Sequence, residues 1–479
     1  TGPGGDMMST ETQSIRQKLA TYLAQLPPPA VLKLASGLER EKLRGTTGLP
    51  YEMILSGLRP LLASLRGARP GKPDPLRQFC RPFEDLLIDG DDDGRRQGSI
   101  ARGTVMRVWA WLEEELLPDA LPDLTRRIID HTLKGDSVAL EAAVSVLHAS
   151  AAQAILTATD AARSNAERRK QLEQRLGGEA GMDDAREIGA VLSIAAPMLA
   201  LQAELPKRID NFTDDMVTAL RDAYIETSET FPNEALYLPF MVMNRLEEPS
   251  QILRFVRKVA HQRNDVVISR SELAIFGETL LAEMDEIARR LHARRAGQAD
   301  LEPMLEDVRR FAQLSRGFAS EIDLHRNSEW GQRVLAGRAR VSAAVAQEMS
   351  RFETELIRAL PFHQIGQYGR GGPMKPDLAK GPDRAREERM RACLRFVSGM
   401  TPICESLGAQ SHCRSVRQQI EAHIGTYEDK LLEELRVAQG AARVNAQDFL
   451  ETVAGFYEAL GESGQAEVLR RRGRVAMGN

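Results

Sequence analysis

Cysteine is sparse: Cys80, Cys393, Cys404 and Cys413 are the only four in 479 residues. Disulfide-built scaffolds are short and cysteine-dense, so that class is excluded and a reducing compartment is expected. Lysine is scarce as well, 11 of the 64 basic residues; the arginine excess, with abundant Ala and Leu, points to a GC-rich bacterial source and says nothing of function. A formal charge of −4 excludes the global basic field that draws whole domains onto nucleic acid. Strand signals are nearly missing. Val266-Val267-Ile268 is three residues long, and Leu236 to Met243 contains Pro239 and has no pairing mate. Without a βαβ alternation, nucleotide-binding α/β folds lose their scaffold.

Long apolar runs are also wanting. Ala142 to Thr159 and Ile188 to Ala203 carry no charge, but they fall short of or barely reach the ~20 apolar residues of a membrane span. Ser145, His148, Gln153 and Thr157 interrupt the first, Ser193 and Pro197 the second, so both are expected as core helices. The opening TGPGGDMMSTETQ lacks a basic region followed by an apolar one. It reads as no secretory signal, with residues 1–6 as an appended remnant before Met7 or Met8, and a cytoplasmic location is expected.

What the chain does have is helical periodicity. Thr10 with Gln13 forms a capping box ahead of Ile15, Leu19, Tyr22, Leu23 and Leu26, and Pro27-Pro28-Pro29 ends that helix. Ser269 with Glu272 repeats the signature before Phe276, Leu280, Met284, Ile287 and Leu291. Two seams with spacing suited to side-by-side packing follow: Val341, Val345, Met349, Phe352, Leu356, and then Val416, Ile420, Ile424, Tyr427, Leu431, Leu435. The closing stretch from Asn445 to Leu469, with a turn at Gly461 to Gly464, reads as a helical hairpin. The expectation is an all-α, multi-helix protein of hairpins and bundle-like packing, compatible with an elongated shape. Its divisions are an N-terminal helical region over 9–134 with an acidic loop at 89–99, a central long-helix domain over 135–361, a Gly/Pro-rich loop or linker over 362–383, and a C-terminal helical domain over 384–479.

Motifs of catalytic or metal chemistry fail on inspection. Asp89, Asp91, Asp93 and Gly94 match the start of a calcium loop, but Arg96 and Ile100 stand where an apolar residue and the closing glutamate are needed. Cys393, Cys404, His412 and Cys413 are of ligand type without paired zinc spacing, and read as core packing. No metal and no cofactor is expected. The closest acid–histidine pairing, His261 with Asp265 at i and i+4, reads as an ordinary surface ion pair.

Two features remain as candidate contacts. Arg289, Arg290, Arg294 and Arg295 close one helix, and Arg470, Arg471, Arg472 and Arg474 close another. Each cluster complements a helix dipole and is also suited to an acidic partner. Trp111 lies off the stripe of Val105, Val108, Trp109, Leu112 and Leu116, and so must meet a second element or a partner. The leading expectation is a scaffolding or adaptor protein that binds a macromolecular partner, with a second copy of itself as a further candidate, through helix faces. A second is an all-α enzyme for a small or phosphorylated substrate, with His363, Tyr368, Arg370 and Lys375 around the glycines Gly366, Gly369, Gly371 and Gly372 as contacts. A third, nucleic-acid or anionic-surface binding by the arginine clusters, is disfavoured because no aromatics interleave with the C-terminal one.

Overall fold

The structure is a computed structural model that describes residues 74–90, 96–294, 300–364 and 374–478, with five isolated helical positions at Ala30, Val31, Leu34, Leu38 and Ile54. The capping box at Thr10 and its helix lie outside the described residues. Helices dominate what is described, and the strands there are four segments of two or three residues, so the all-α expectation holds. Both stretches suspected of strand character are helical, Asp265–Ile268 and Tyr237–Arg245. Pro239 sits in the first turn of the latter, where its missing N–H has no intrahelical partner to lose.

The chain divides into two compact units, one ending at Leu199 and the other holding Gly94–Gly98 and Ala200 onwards. That division falls inside the stretch expected as a central domain, and none falls at 362–383.

The first unit contains α1 (Pro75–Cys80), a parallel two-stranded pair β1 (Leu87–Ile88) and β2 (Ile100–Ala101), α2 (Arg102–Trp111), α3 (Ala120–Lys134), α4 (Ser137–Arg163), α5 (Ala166–Leu176) and α6 (Glu179–Ser193). Local chemistry sets the boundaries. Gly135, at φ 72°, ends α3 in the left-handed region that glycine tolerates. The Asp136 and Asn165 side chains accept from Ala139 N and Glu167 N to start α4 and α5. The core of the unit is α4 against α6. Leu147, Ala151 and Ile155 of α4 and Ala185, Ile188 and Val191 of α6 are fully buried. By length and composition α4 is able to cross a membrane, with a mean hydropathy of 1.4 over its most apolar window. One third of that window is buried, 33%. The run 188–203 is bent: α6 meets α7 (Ala195–Glu204), which carries the chain into the second unit, at 76°.

The second unit begins with α8 (Asp214–Ser228), α9 (Tyr237–Arg245), α10 (Leu253–Ala260) and the short α11 (Asp265–Ile268). Long helices follow: α12 (Ala274–Ala293), α13 (Leu301–Glu321), α14 (Glu329–Met349) and α15 (Phe352–Ala359). An antiparallel hairpin of β3 (Phe362–Gln364) and β4 (Met374–Pro376) leads to α16 (Arg384–Met400), α17 (Gln410–Val437), α18 (Gly440–Ala459) and α19 (Ser463–Ala476). The stripe Phe276, Leu280, Met284, Ile287, Leu291 is buried throughout, as are both expected seams. The first seam runs over two helices, broken at Ser350 and Arg351.

The capping box at Ser269 and Glu272 does not form. Ser269 ends α11, its hydroxyl donating to Val266 O at 3.2 Å, while Glu272 accepts from the Tyr224 hydroxyl at 2.6 Å. Nor does 362–383 divide domains, because α16 packs on α13 and α15 from before that segment. At its far end Asp383 caps α16 through Ala385 N. Cys404, in the turn after α16, and Cys413, in the first turn of α17, form a disulfide, where the sequence suggests unlinked core thiols.

Candidate functional site

A buried polar cluster of the second unit forms where α10, α11, α13 and α14 meet. His261 leaves α10 in the left-handed region at φ 52°, and this reversal turns residues 262–264 back beside the connection between α13 and α14. Asp323 N donates to Arg263 O at 2.8 Å, and Asn264 and Asp323 form an isolated parallel bridge. That bridge places Asp265, fully buried at 0% exposure, beneath His325. His325 Nδ1 donates to Asp265 Oδ1 at 2.7 Å and its main-chain N to Oδ2 at 3.1 Å, while the Ser328 hydroxyl donates to the same carboxylate. Burial alone would raise the Asp265 carboxyl; the bonds from Ser328 and His325 outweigh it and hold the group below the usual carboxylate range.

Close backbone approach makes this geometry possible. Ser328 caps α14 through Gly331 N at 3.0 Å, and a Cβ on Gly331 would stand 1.9 Å from His325 O. Glycine is therefore required for the turn to fold down onto Asp265.

His325 opens onto a cavity of about 530 Å³. Ile322, Leu324 and Val334 give it apolar wall; Arg326 and Arg338 bring positive charge. Arg338 reaches in from α14, its Nε donating to the fully buried Ser315 Oγ at 2.7 Å. Among the described residues no carboxylate lies in ion-pair range of Arg338 or Arg326, and burial pushes the Arg338 guanidinium below its ordinary value. The cavity's own acid, Asp323, faces Arg263 at 3.3 Å. A half-buried cation with a fixed orientation and no counter-ion is costly unless an anion joins it. The imidazole of the same cavity has one nitrogen fixed by a carboxylate and Nε2 left over, with the side chain 55% exposed.

The contacts expected from sequence lie elsewhere. Trp111 is turned inward at 3% exposure, its indole donating to Glu115 at 3.2 Å, and it lines a separate cavity in the first unit with Ala158 and Arg175. It offers no surface to a partner, because α2 buries this face as well as its stripe. Within the arginine clusters, Arg290, Arg294, Arg470 and Arg472 reach carboxylates on neighbouring helices, while Arg289 and Arg471 face acids of their own helix. Arg290 and Arg294 share Asp307 at 2.6 and 3.3 Å, and Arg289 bonds Glu286 at 3.0 Å. Arg470 holds Glu451 and Glu458 at 2.9 and 2.7 Å, Arg472 holds Glu428 and Asp429, and Arg471 lies 3.7 Å from Glu467. Arg295, Tyr368, Arg370, the four glycines of 366–372 and Asp91, Asp93 and Gly94 lie outside the described residues. His363 and Lys375 face each other across β3 and β4, and Lys375 is paired with Glu434 at 2.5 Å. No group of three or more metal-ligating side chains gathers among the described residues. Cys404 and Cys413 are spent on each other, and burial pushes the Cys393 thiol up to about 12.

His261 and Asp265, the pair read from sequence, are not partners: the reversal at His261 separates them, and Asp265 takes His325, 60 residues on. The site therefore had no local signature. Only Asp265 was singled out, and for the wrong mate. Compared with protein families, curated proteins and solved structures, the chain matches none.

Proposed function

We propose that this chain binds a small anionic ligand in the cavity bounded by His325, Arg326 and Arg338. The observation that carries the reading is Arg338, anchored on Ser315 and facing the cavity with no carboxylate to neutralise it. A guanidinium held in this way presents its remaining N–H groups in a planar fork suited to a carboxylate or phosphoryl group. The volume of about 530 Å³ is that of a small-molecule site. Of the residues behind the partner-binding reading, Trp111 is buried and Arg290, Arg294, Arg470 and Arg472 bond carboxylates of this chain.

Calorimetric titration with inorganic phosphate and with a small dicarboxylate tests the proposal. At least one of the two is expected to bind, and Arg338→Gln is expected to weaken it roughly ten- to hundredfold, the loss of one charge-assisted contact. A chain that binds neither anion, or binds equally well without Arg338, rejects the reading. Compartment belongs to the same proposal. In a reducing cytoplasm Cys404 and Cys413 are two thiols, in an oxidising space one bridge; thiol counting on protein trapped directly from cells decides between them.

A further inference from the structure

Resting on the anion-binding reading, we propose that the ligand is a phosphoryl donor and that His325 Nε2 accepts the phosphoryl group. Three features of the site point this way together. The ring is oriented: Nδ1 donates to Asp265 Oδ1 at 2.7 Å, so the proton is held on Nδ1 and the lone pair stays on Nε2. The ring is accessible, with its side chain 55% exposed at the cavity. Two arginines without carboxylate partners, Arg326 and Arg338, line the same cavity and bring the positive charge that three phosphoryl oxygens require.

The donor class is an acyl phosphate. The Nε2 lone pair forms the N–P bond while the P–O bond to the acyl group breaks, and the carboxylate leaves with that electron pair. No proton enters or leaves. The ring then bears the phosphoryl on Nε2 and the proton on Nδ1, and is formally cationic. Asp265 faces that N–H from a fully buried position, and its carboxylate is fixed by three donors. Its negative charge is therefore preorganised where positive charge develops. Asp265 acts as a positioning residue in this scheme, and His325 is the group that reacts. The other charged groups lining the cavity are Arg326, Arg338 and Asp323, the last held by Arg263.

The test uses the full chain with acetyl phosphate as the probe. It reads intact mass for one added phosphoryl group, the acid lability that marks a phosphorylated imidazole, and phosphate released to solution. His325→Asn is the decisive variant, because its amide nitrogen replaces Nδ1 towards Asp265 and leaves no nucleophilic ring nitrogen. Wild type is expected to take up the acid-labile group or to release phosphate, and His325→Asn to lose both at least a hundredfold with its melting temperature retained. Asp265→Asn is expected to slow uptake at least tenfold with phosphate affinity unchanged, a split that a merely structural role would not produce; uptake unaltered in that variant removes Asp265 from the scheme. Phosphate binding without uptake or turnover overturns the phosphoryl proposal and leaves the anion-binding reading standing. Absence of phosphate binding overturns both, and a group that survives acid, or persists in His325→Asn, overturns the assignment to His325.

Discussion

At the scale of single residues, the site depends on a few side chains whose partners are far away in sequence. Asp265 accepts from His325 and Ser328, 60 and 63 residues on, and no periodicity brings such positions together on paper. Nearest-neighbour reasoning assigned Asp265 to His261, which holds only where both share a helix; the left-handed His261 ends α10 before Asp265 begins α11. Gly331 was equally silent, since its value is the 1.9 Å gap that a side chain would close against a carbonyl. Gly331→Ala is expected to destabilise the second unit by about 2 kcal/mol through that clash, read as a lower denaturation midpoint, and to weaken phosphate binding in parallel. An alanine tolerated with both quantities unchanged shows that the α14 turn does not depend on this approach.

At the scale of elements, the apolar stripes were legible and the polar signals were not. Val416 through Leu435 lie on one face of α17 and are buried, because an i, i+4, i+7 pattern allows one way of hiding its apolar surface. Ile424→Ala, at a fully buried position, is expected to cost about 2–5 kcal/mol in chemical denaturation. The capping box at Ser269 failed because a serine hydroxyl can equally serve the carbonyl of the turn before it. The pairing of the arginine runs was hidden for a similar reason: a guanidinium reaches carboxylates on neighbouring helices that the sequence does not show to be adjacent, as Arg290 and Arg470 do. Arg470→Gln is accordingly expected to lower stability by less than about 1 kcal/mol, with the effect shrinking at high salt. Closing the α16–α17 turn, the disulfide spans nine residues of separation, for which chain entropy predicts roughly 2–3 kcal/mol. Reduction should lower the denaturation midpoint of the second unit accordingly; an unchanged midpoint means that the hydrogen-bonded turn holds without the bridge.

At the scale of the whole molecule, the chain forms two compact units whose boundary near residue 199 falls within α7 and carries no Gly/Pro signal. Helices before and after the conspicuous Gly/Pro segment at 362–383 pack together, so composition did not mark the division. Each unit carries a histidine whose basicity burial lowers, His148 in the first and His423 in the second. Folded, both resist protonation; unfolded, they titrate near the ordinary value of about 6.5. Their contribution is therefore fully present above that value and is lost as pH falls through it towards the depressed folded values. Denaturation midpoints measured between neutral and mildly acidic pH should drop for both units, and His148→Gln should remove part of that dependence from the first. A flat profile in the wild type contradicts this origin of acid sensitivity.

Fold class, the helical stripes and the absence of an α/β scaffold were determined by the sequence alone, because burial of a periodic apolar face is a local constraint that each segment carries with it. Tertiary structure decided which polar groups meet. It set Asp265 beneath His325, left Arg338 without a counter-ion, turned Trp111 inward and joined Cys404 to Cys413. A charge or a hydroxyl has many acceptable partners, and only the packing of distant segments selects one of them.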